Sequence, residues 1–250
     1  RPGRVLMIGS GPRARLLAAA LRRVPGLAIA GVCSPHAPDR DRAFDGAPGF
    51  LDIDEALDRT RPDAVIIASA TPTHAALARA ALALDLPVLV EKPLATDEDE
   101  ARALADAGGA RLWPAHADRF APGLDELFAR GGDLTITRHS PTGAPDVPLV
   151  WSRPALYESL YHLLVLAHAH AGDAGGALTV HSVHATGEQR LERLRVELRT
   201  PAIAIAIAWE LGGARDSLAL ASGPLTWSRV GREVAIERDA GPAPVARRGG

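Results

Sequence analysis

Lysine occurs once in 250 residues, at Lys92 within Glu91-Lys92-Pro93, although the chain carries 28 basic residues. Arginine keeps its proton and presents a broad planar fork, whereas the lysine ammonium is compact and can give up its proton when buried. A chain that uses arginine elsewhere marks Lys92 as a place where arginine fails, either a proton donor or a point charge beside a reacting atom. The alternative is chance survival in an arginine-biased composition. Glu158 and His162 form a second acid–base pair. Four residues apart, they share one face of a helix, where a carboxylate can orient or charge an imidazole. On spacing alone such a pair reads first as a surface ion pair. Tyr157 and Tyr161 repeat the spacing and line either a pocket or a core.

A third group is suited to phosphate. Gly9-Ser10-Gly11-Pro12-Arg13-Ala14 lies between an apolar run and an Ala/Leu-rich stretch. In a strand–turn–helix unit these glycines let backbone approach a pyrophosphate, and the first helical N–H groups point at it. Ala14 takes the third position of the fingerprint. Arg13 either adds charge to the phosphates or is a solvated first-turn residue, one that opposes the helix dipole unless an anion binds there. At the end of the second apolar run stands Ser34, in Cys33-Ser34-Pro35-His36, where an NAD-preferring domain usually carries an acid. With Arg40 and Arg42 nearby, the expectation is NADP, with NAD possible.

These groups need positioning elements. Apolar runs at Arg4 to Ile8, Leu27 to Cys33, Asp63 to Ala68, Pro87 to Val90 and Arg111 to Ala115 read as strands. Helical stretches fit between them, among them Arg13 to Arg23, Thr73 to Leu84 and Asp97 to Ala107. Such alternation predicts an α/β Rossmann domain, a doubly wound parallel sheet, over residues 1–118. Residues 119–239 predict a smaller α+β domain for substrate binding and oligomerisation. It would contain a short helix over Leu124 to Arg130, a strand over Asp133 to Ser140, a long helix over Pro154 to Ala171 and a mainly antiparallel sheet. That sheet would use Ala177 to Thr186, Leu191 to Arg199, Ala202 to Leu211, Ser217 to Ala221, Leu225 to Val230 and Glu233 to Arg238. Residues 240–250, rich in Pro, Gly and Arg, predict a disordered tail.

The segments Ser69-Ala70-Thr71-Pro72-Thr73-His74 and Glu91-Lys92-Pro93, with the opening glycine turn and Pro114 to Pro122, resemble the Gfo/Idh/MocA oxidoreductase family (glucose-fructose oxidoreductase, inositol dehydrogenase and rhizopine catabolism). The resemblance covers about the first 125 residues. It implies that Gly9, Ser10, Gly11, Pro12, Arg13, Ser34, Ser69, Ala70, Thr71, Pro72, His74, Glu91 and Lys92 serve the cofactor. It further implies that Lys92 lies near the reacting carbon, that His162 is the catalytic histidine and that Glu158 stands in for an aspartate of the family helix. Val165 replaces the family's second aspartate, and the glycine run after Trp151 is missing, so the chain resembles a shortened member. The implied activity is hydride transfer between a nicotinamide cofactor and a carbonyl, alcohol or imine of a small molecule such as a sugar, cyclitol or biosynthetic intermediate. The alternative is a nucleotide-binding protein that no longer catalyses and serves assembly or regulation.

Composition excludes other classes. A formal net charge of −2 gives no basic excess to attract nucleic acid or an acidic membrane. No apolar run reaches the roughly 18 residues of a membrane span, and Arg1 to Ser10 lacks a signal-peptide core. With Cys33 as its single cysteine, the chain is expected in the cytoplasm. His168 and His170 diverge on a helix, His181 and His184 on a strand, and His36 and His139 are solitary, so no metal is expected. In Ala202 to Ala208, Ile203, Ile205 and Ile207 alternate with alanines. The alanine face fits either a second subunit, giving a homo-oligomer through the C-terminal sheet, or an internal helix.

Overall fold

A computed structural model describes residues 1–36, 40–141, 149–172, 178–186, 192–213, 216–230 and 233–238. The chain divides into two compact units, Arg1–His116 and Ala117–Gly250. The tail expected over 240–250 lies outside the described residues, as do the side chains of Tyr157 and Glu158.

The first unit contains β1 (Gly3–Ile8), α1 (Pro12–Leu21), β2 (Leu27–Cys33), β3 (Gly49–Phe50), α2 (Ile53–Thr60), β4 (Ala64–Ile67), α3 (His74–Leu82), β5 (Val88–Val90), α4 (Glu98–Gly108) and β6 (Leu112–Pro114). Its six strands lie in the order β3-β2-β1-β4-β5-β6, and every pairing is parallel. This is the doubly wound dinucleotide-binding topology, whose strand order reverses between β1 and β4. Alternate residues of β1 enter two separate cores. Leu6 and Ile8 join one with Val65, Ile67, Ala78 and Leu104, while Val5 and Met7 join the other with Ala14, Ala18 and Phe44. Apart from Arg4 near the start of β1, the strands carry no charged residue, because both faces of the sheet are covered. Side-chain caps set two helix starts, Asp52 accepting from the Glu55 N–H of α2 and Asp97 from the Glu100 N–H of α4.

The second unit contains α5 (Leu124–Arg130), β7 (Leu134–Pro141), α6 (Leu149–Ala171), β8 (Thr179–Thr186), β9 (Arg193–Arg199), β10 (Ala204–Gly213), β11 (Ser217–Ser222), β12 (Leu225–Val230) and β13 (Glu233–Arg238). Seven strands form one sheet ordered β13-β12-β11-β7-β10-β9-β8, antiparallel except for β7 beside β10. Helix α6 begins before Pro154 instead of at it. A proline inside a helix forfeits one backbone hydrogen bond, but Leu163, Leu166 and Ala167 hold α6 on a core shared with Ile136, Ile205, Ile207, Trp209 and Trp227. Both buried indoles are satisfied, Trp209 donating to Ser140 Oγ and Trp227 to the Pro122 carbonyl. The helix therefore covers the isoleucine side of β10. Ala204 and Ala206 face away from that core and are exposed.

Candidate active site

In the first unit the site residues gather at the C-terminal ends of β1, β2, β4 and β5, where parallel sheets of this topology hold ligands. The turn after β1 is fixed sterically at Gly9. Its φ is +109°, and a Cβ there would stand 2.4 Å from the Ala68 carbonyl oxygen. Gly11 differs, because a Cβ on it would meet nothing within 4 Å. The space in front of Gly11 is open, and Gly11 caps α1 without any side-chain hydrogen bond. The first N–H groups of a helix have no partner inside it. With Ala14 fully buried behind them, these features form a cradle that fits a pyrophosphate.

Arg13 reaches from the first turn of α1 to Glu91, with Nε 3.3 Å from Oε1. That carboxylate explains how a cation is tolerated at the start of the helix. Ser34 is buried at the end of β2, its Oγ 3.0 Å from Ser10 Oγ and accepting from the His36 N–H at 3.3 Å. No acidic side chain follows β2 in Ser34, Pro35 or His36. Cys33, just before, is buried and free. Burial, reinforced by the Asp52 carboxylate, pushes its thiol up, so it is a core residue and not a nucleophile.

After β4, Ser69 and Thr73 share a 2.7 Å hydrogen bond, and Thr73 Oγ1 donates to the Ala70 carbonyl. Thr71–Thr73 is a short 3-10 turn, so the Thr71-Pro72 corner projects from the sheet end. His74, expected among the cofactor contacts, is only 1% exposed. Its Nδ1 lies 2.8 Å from the Pro93 carbonyl oxygen and its Nε2 3.1 Å from that of Ser69. The ring therefore stands behind the turn. Glu91 continues the ladder by donating its N–H to the Ile67 carbonyl. Lys92 follows it, 9% exposed, and the Lys92-Pro93 peptide is cis.

His162 lies on α6 in the second unit, its ring partly buried. The carboxylate observed beside it is that of Asp118, from the 3-10 turn Ala117–Phe120, with Oδ2 3.8 Å from His162 Nδ1. Asp118 belongs to a larger charged cluster. Its Oδ1 is 3.5 Å from Arg229, and its Oδ2 is 3.9 Å from Arg138. Arg138 and Arg229 in turn contact Asp216 at 3.0 and 3.4 Å. Sequence reading missed all four residues, because β7, β12, the Ala117–Phe120 turn and the segment before β11 contribute one each. Tyr161 is adjacent to His162, and burial pushes its phenol up, which keeps it a neutral donor. Away from this cluster, His170 Nε2 is 2.8 Å from the Gly132 carbonyl oxygen, a structural contact within the second unit. Among the described residues no group of three or more His, Cys, Asp or Glu side chains is placed to hold a metal ion. No described helix is long and apolar enough to cross a membrane.

Residues 3–110 match the model of an oxidoreductase family with an NAD-binding Rossmann fold. An inositol 2-dehydrogenase of Leifsonia xyli is 40% identical over 83 residues, which are 32% of this chain and 24% of that protein. Matches to the curated inositol 2-dehydrogenases span only about a quarter to a third of their length, from 24% to 32%. The fold likeness extends further. A myo-inositol dehydrogenase from Corynebacterium glutamicum superposes with a TM-score of 0.76 at 20% identity, over 98% of this chain and 78% of that one. One from Lactobacillus casei, solved with NAD(H) and myo-inositol, gives a TM-score of 0.72 at 17% identity, over 100% and 78%.

Proposed function

Residues 3–110 match the Gfo/Idh/MocA oxidoreductase family, and from that premise we propose that the chain transfers hydride between a nicotinamide cofactor and a carbonyl, alcohol or imine of a small polar molecule. The observation that carries the reading is Lys92, the one lysine of the chain, held largely buried at the end of β5 beside the β4 turn. Cyclitols and sugars are the first substrates to try, because the relatives named above act on inositol.

The dinucleotide would lie along the Gly9–Arg13 turn, with its ribose and nicotinamide portions toward Ser69–Pro72 and Lys92. When bound, the nicotinamide supplies or accepts the hydride. Lys92 places a positive charge at the substrate oxygen or nitrogen and donates a hydrogen bond there. His162 moves the proton of that heteroatom. Asp118 orients His162, the part that the family resemblance implies for Glu158 on the same helix. NADPH is the favoured cofactor, because neutral Ser34 exerts no repulsion on a 2′-phosphate. Buried, free Cys33 accords with a reducing cytoplasm. The exposed Ala204 and Ala206 support a homo-oligomer built on the open face of the seven-stranded sheet.

The test is turnover of NAD(P)+ with myo-inositol and a panel of polyols, and of NAD(P)H with the corresponding ketones, followed at 340 nm. Cofactor-dependent turnover that disappears in Lys92→Ala supports the proposal. Tight cofactor binding without turnover on any of them would favour the non-catalytic reading.

A further inference from the structure

The last backbone bond between β4 and β5 runs from the Glu91 N–H to the Ile67 carbonyl at 2.8 Å. Past it the two loops part, one forming the Thr71-Pro72 corner and the other carrying Lys92. The His74 ring occupies the space between them, 2.8 Å from the Pro93 carbonyl oxygen and 3.1 Å from that of Ser69. We propose that His74 is a positioning residue that sets the spacing between the cofactor turn and Lys92, each ring nitrogen holding one loop.

Three observations carry this. The ring is almost wholly buried, so it can reach neither loop's outer surface. The turn already has internal ties, since Ser69 Oγ pairs with Thr73 Oγ1 and Thr73 Oγ1 donates to the Ala70 carbonyl. It can therefore keep its shape without His74, and the imidazole adds a tie from the turn to the next loop. The Pro93 carbonyl, finally, belongs to the residue directly after Lys92, so a displacement there is carried straight to the ammonium. Both partners are carbonyl oxygens, which accept, so the neutral ring donates to one loop at a time and its two tautomers tie the loops in turn.

The two ties can be cut separately. Asparagine places its amide nitrogen near the position of Nδ1 and glutamine near that of Nε2. His74→Asn thus keeps the Pro93 tie and loses the Ser69 one, while His74→Gln does the reverse. Lys92 is the single lysine, so the full chain labelled with 13Cε-lysine gives one lysine resonance, a reporter on Lys92 that needs no turnover. The proposal predicts a crossed pattern. His74→Gln moves the Lys92 resonance while NADPH affinity stays within about twofold of wild type. His74→Asn leaves the resonance in place and weakens NADPH binding by about fivefold or more. Parallel changes in both variants, or no change in either, would overturn it, since they would make His74 an ordinary core residue. If His74→Asn does not fold, His74→Gln decides alone, and an unmoved resonance overturns the proposal. The cofactor arm rests on the oxidoreductase reading. Should the wild-type chain bind neither NADPH nor NADH, that reading fails, and the lysine resonance still decides whether His74 positions Lys92.

Discussion

His162 Nδ1 faces Asp118 Oδ2 across 3.8 Å, and the same carboxylate lies within 4 Å of both Arg229 and Arg138. A carboxylate at this distance stabilises the protonated imidazole, and the arginines fix the carboxylate in turn. The arrangement suits a histidine that must pick up and release a proton on each cycle. Arginine also protects the site from losing its charge, because guanidinium stays protonated at every accessible pH.

Asp118→Asn keeps the shape and removes the charge. Turnover should fall by about tenfold in kcat, a fraction of what a positioned acid contributes, with KM nearly unchanged. Wild-type turnover in the variant would show that the carboxylate does not act on the imidazole.

The two glycines of the first turn should respond differently to alanine. Gly9→Ala combines an unfavourable positive φ with a Cβ driven into the Ala68 carbonyl, and should destabilise the chain by roughly 2–5 kcal/mol. Gly11→Ala meets no protein atom. Its thermal midpoint should stay near wild type while NADPH affinity falls, since the new methyl occupies the cradle. Calorimetry of unfolding and of binding on both variants checks the contrast.

Much of this was legible before any coordinates. The strands at Leu27–Cys33, Leu225–Val230 and Glu233–Arg238 have the ends that the apolar runs predict, because a run bounded by turn residues fixes its own limits. The turn at Gly9 was legible too, as only glycine suits its steric demands. Asp118 was not, because its partners come from α6, β7 and β12, and local spacing carries no record of tertiary proximity. His74 was read as a cofactor contact for a similar reason. A motif marks the residue, while the direction of the ring is decided by the Pro93 carbonyl on the next loop. Helix α6 begins earlier than Pro154 predicts, because packing of its later turns outweighs one missing hydrogen bond.

The neutral end of β2 bears on cofactor choice. Ser34→Asp should shift selectivity toward NADH by roughly tenfold to a hundredfold, since a carboxylate beside the 2′-phosphate sets like charges together. Calorimetric titration with both reduced cofactors measures it. A wild-type preference for NADH would end the NADPH assignment.

The open face of β10 tests assembly. Ala204 and Ala206 are exposed beside Arg199 and Glu197 of β9, so Ala206→Arg adds bulk and charge without touching the core. If copies of the chain meet through this face, the substitution should lower the mass seen by light scattering at micromolar concentration and leave the thermal midpoint of the dissociated chain within a few degrees. Wild type that is monomeric over the whole range would remove the assembly role.

The most informative substitution is Lys92→Arg, because it keeps the positive charge. If Lys92 serves as proposed, arginine, which is longer and planar and holds its proton at accessible pH, displaces the donor from the substrate heteroatom. Turnover should fall by about a hundredfold or more in kcat, the range for losing a positioned electrostatic donor, while NADPH binding changes little. His162→Ala should cost a similar factor. If the two side chains act on the same step, the double variant should be little worse than either single one, since groups that work as a unit are not additive. Multiplying losses would instead mean independent roles. Full activity in Lys92→Arg would show that any cation suffices at the end of β5, and the single lysine of this arginine-rich chain would then be an accident of composition.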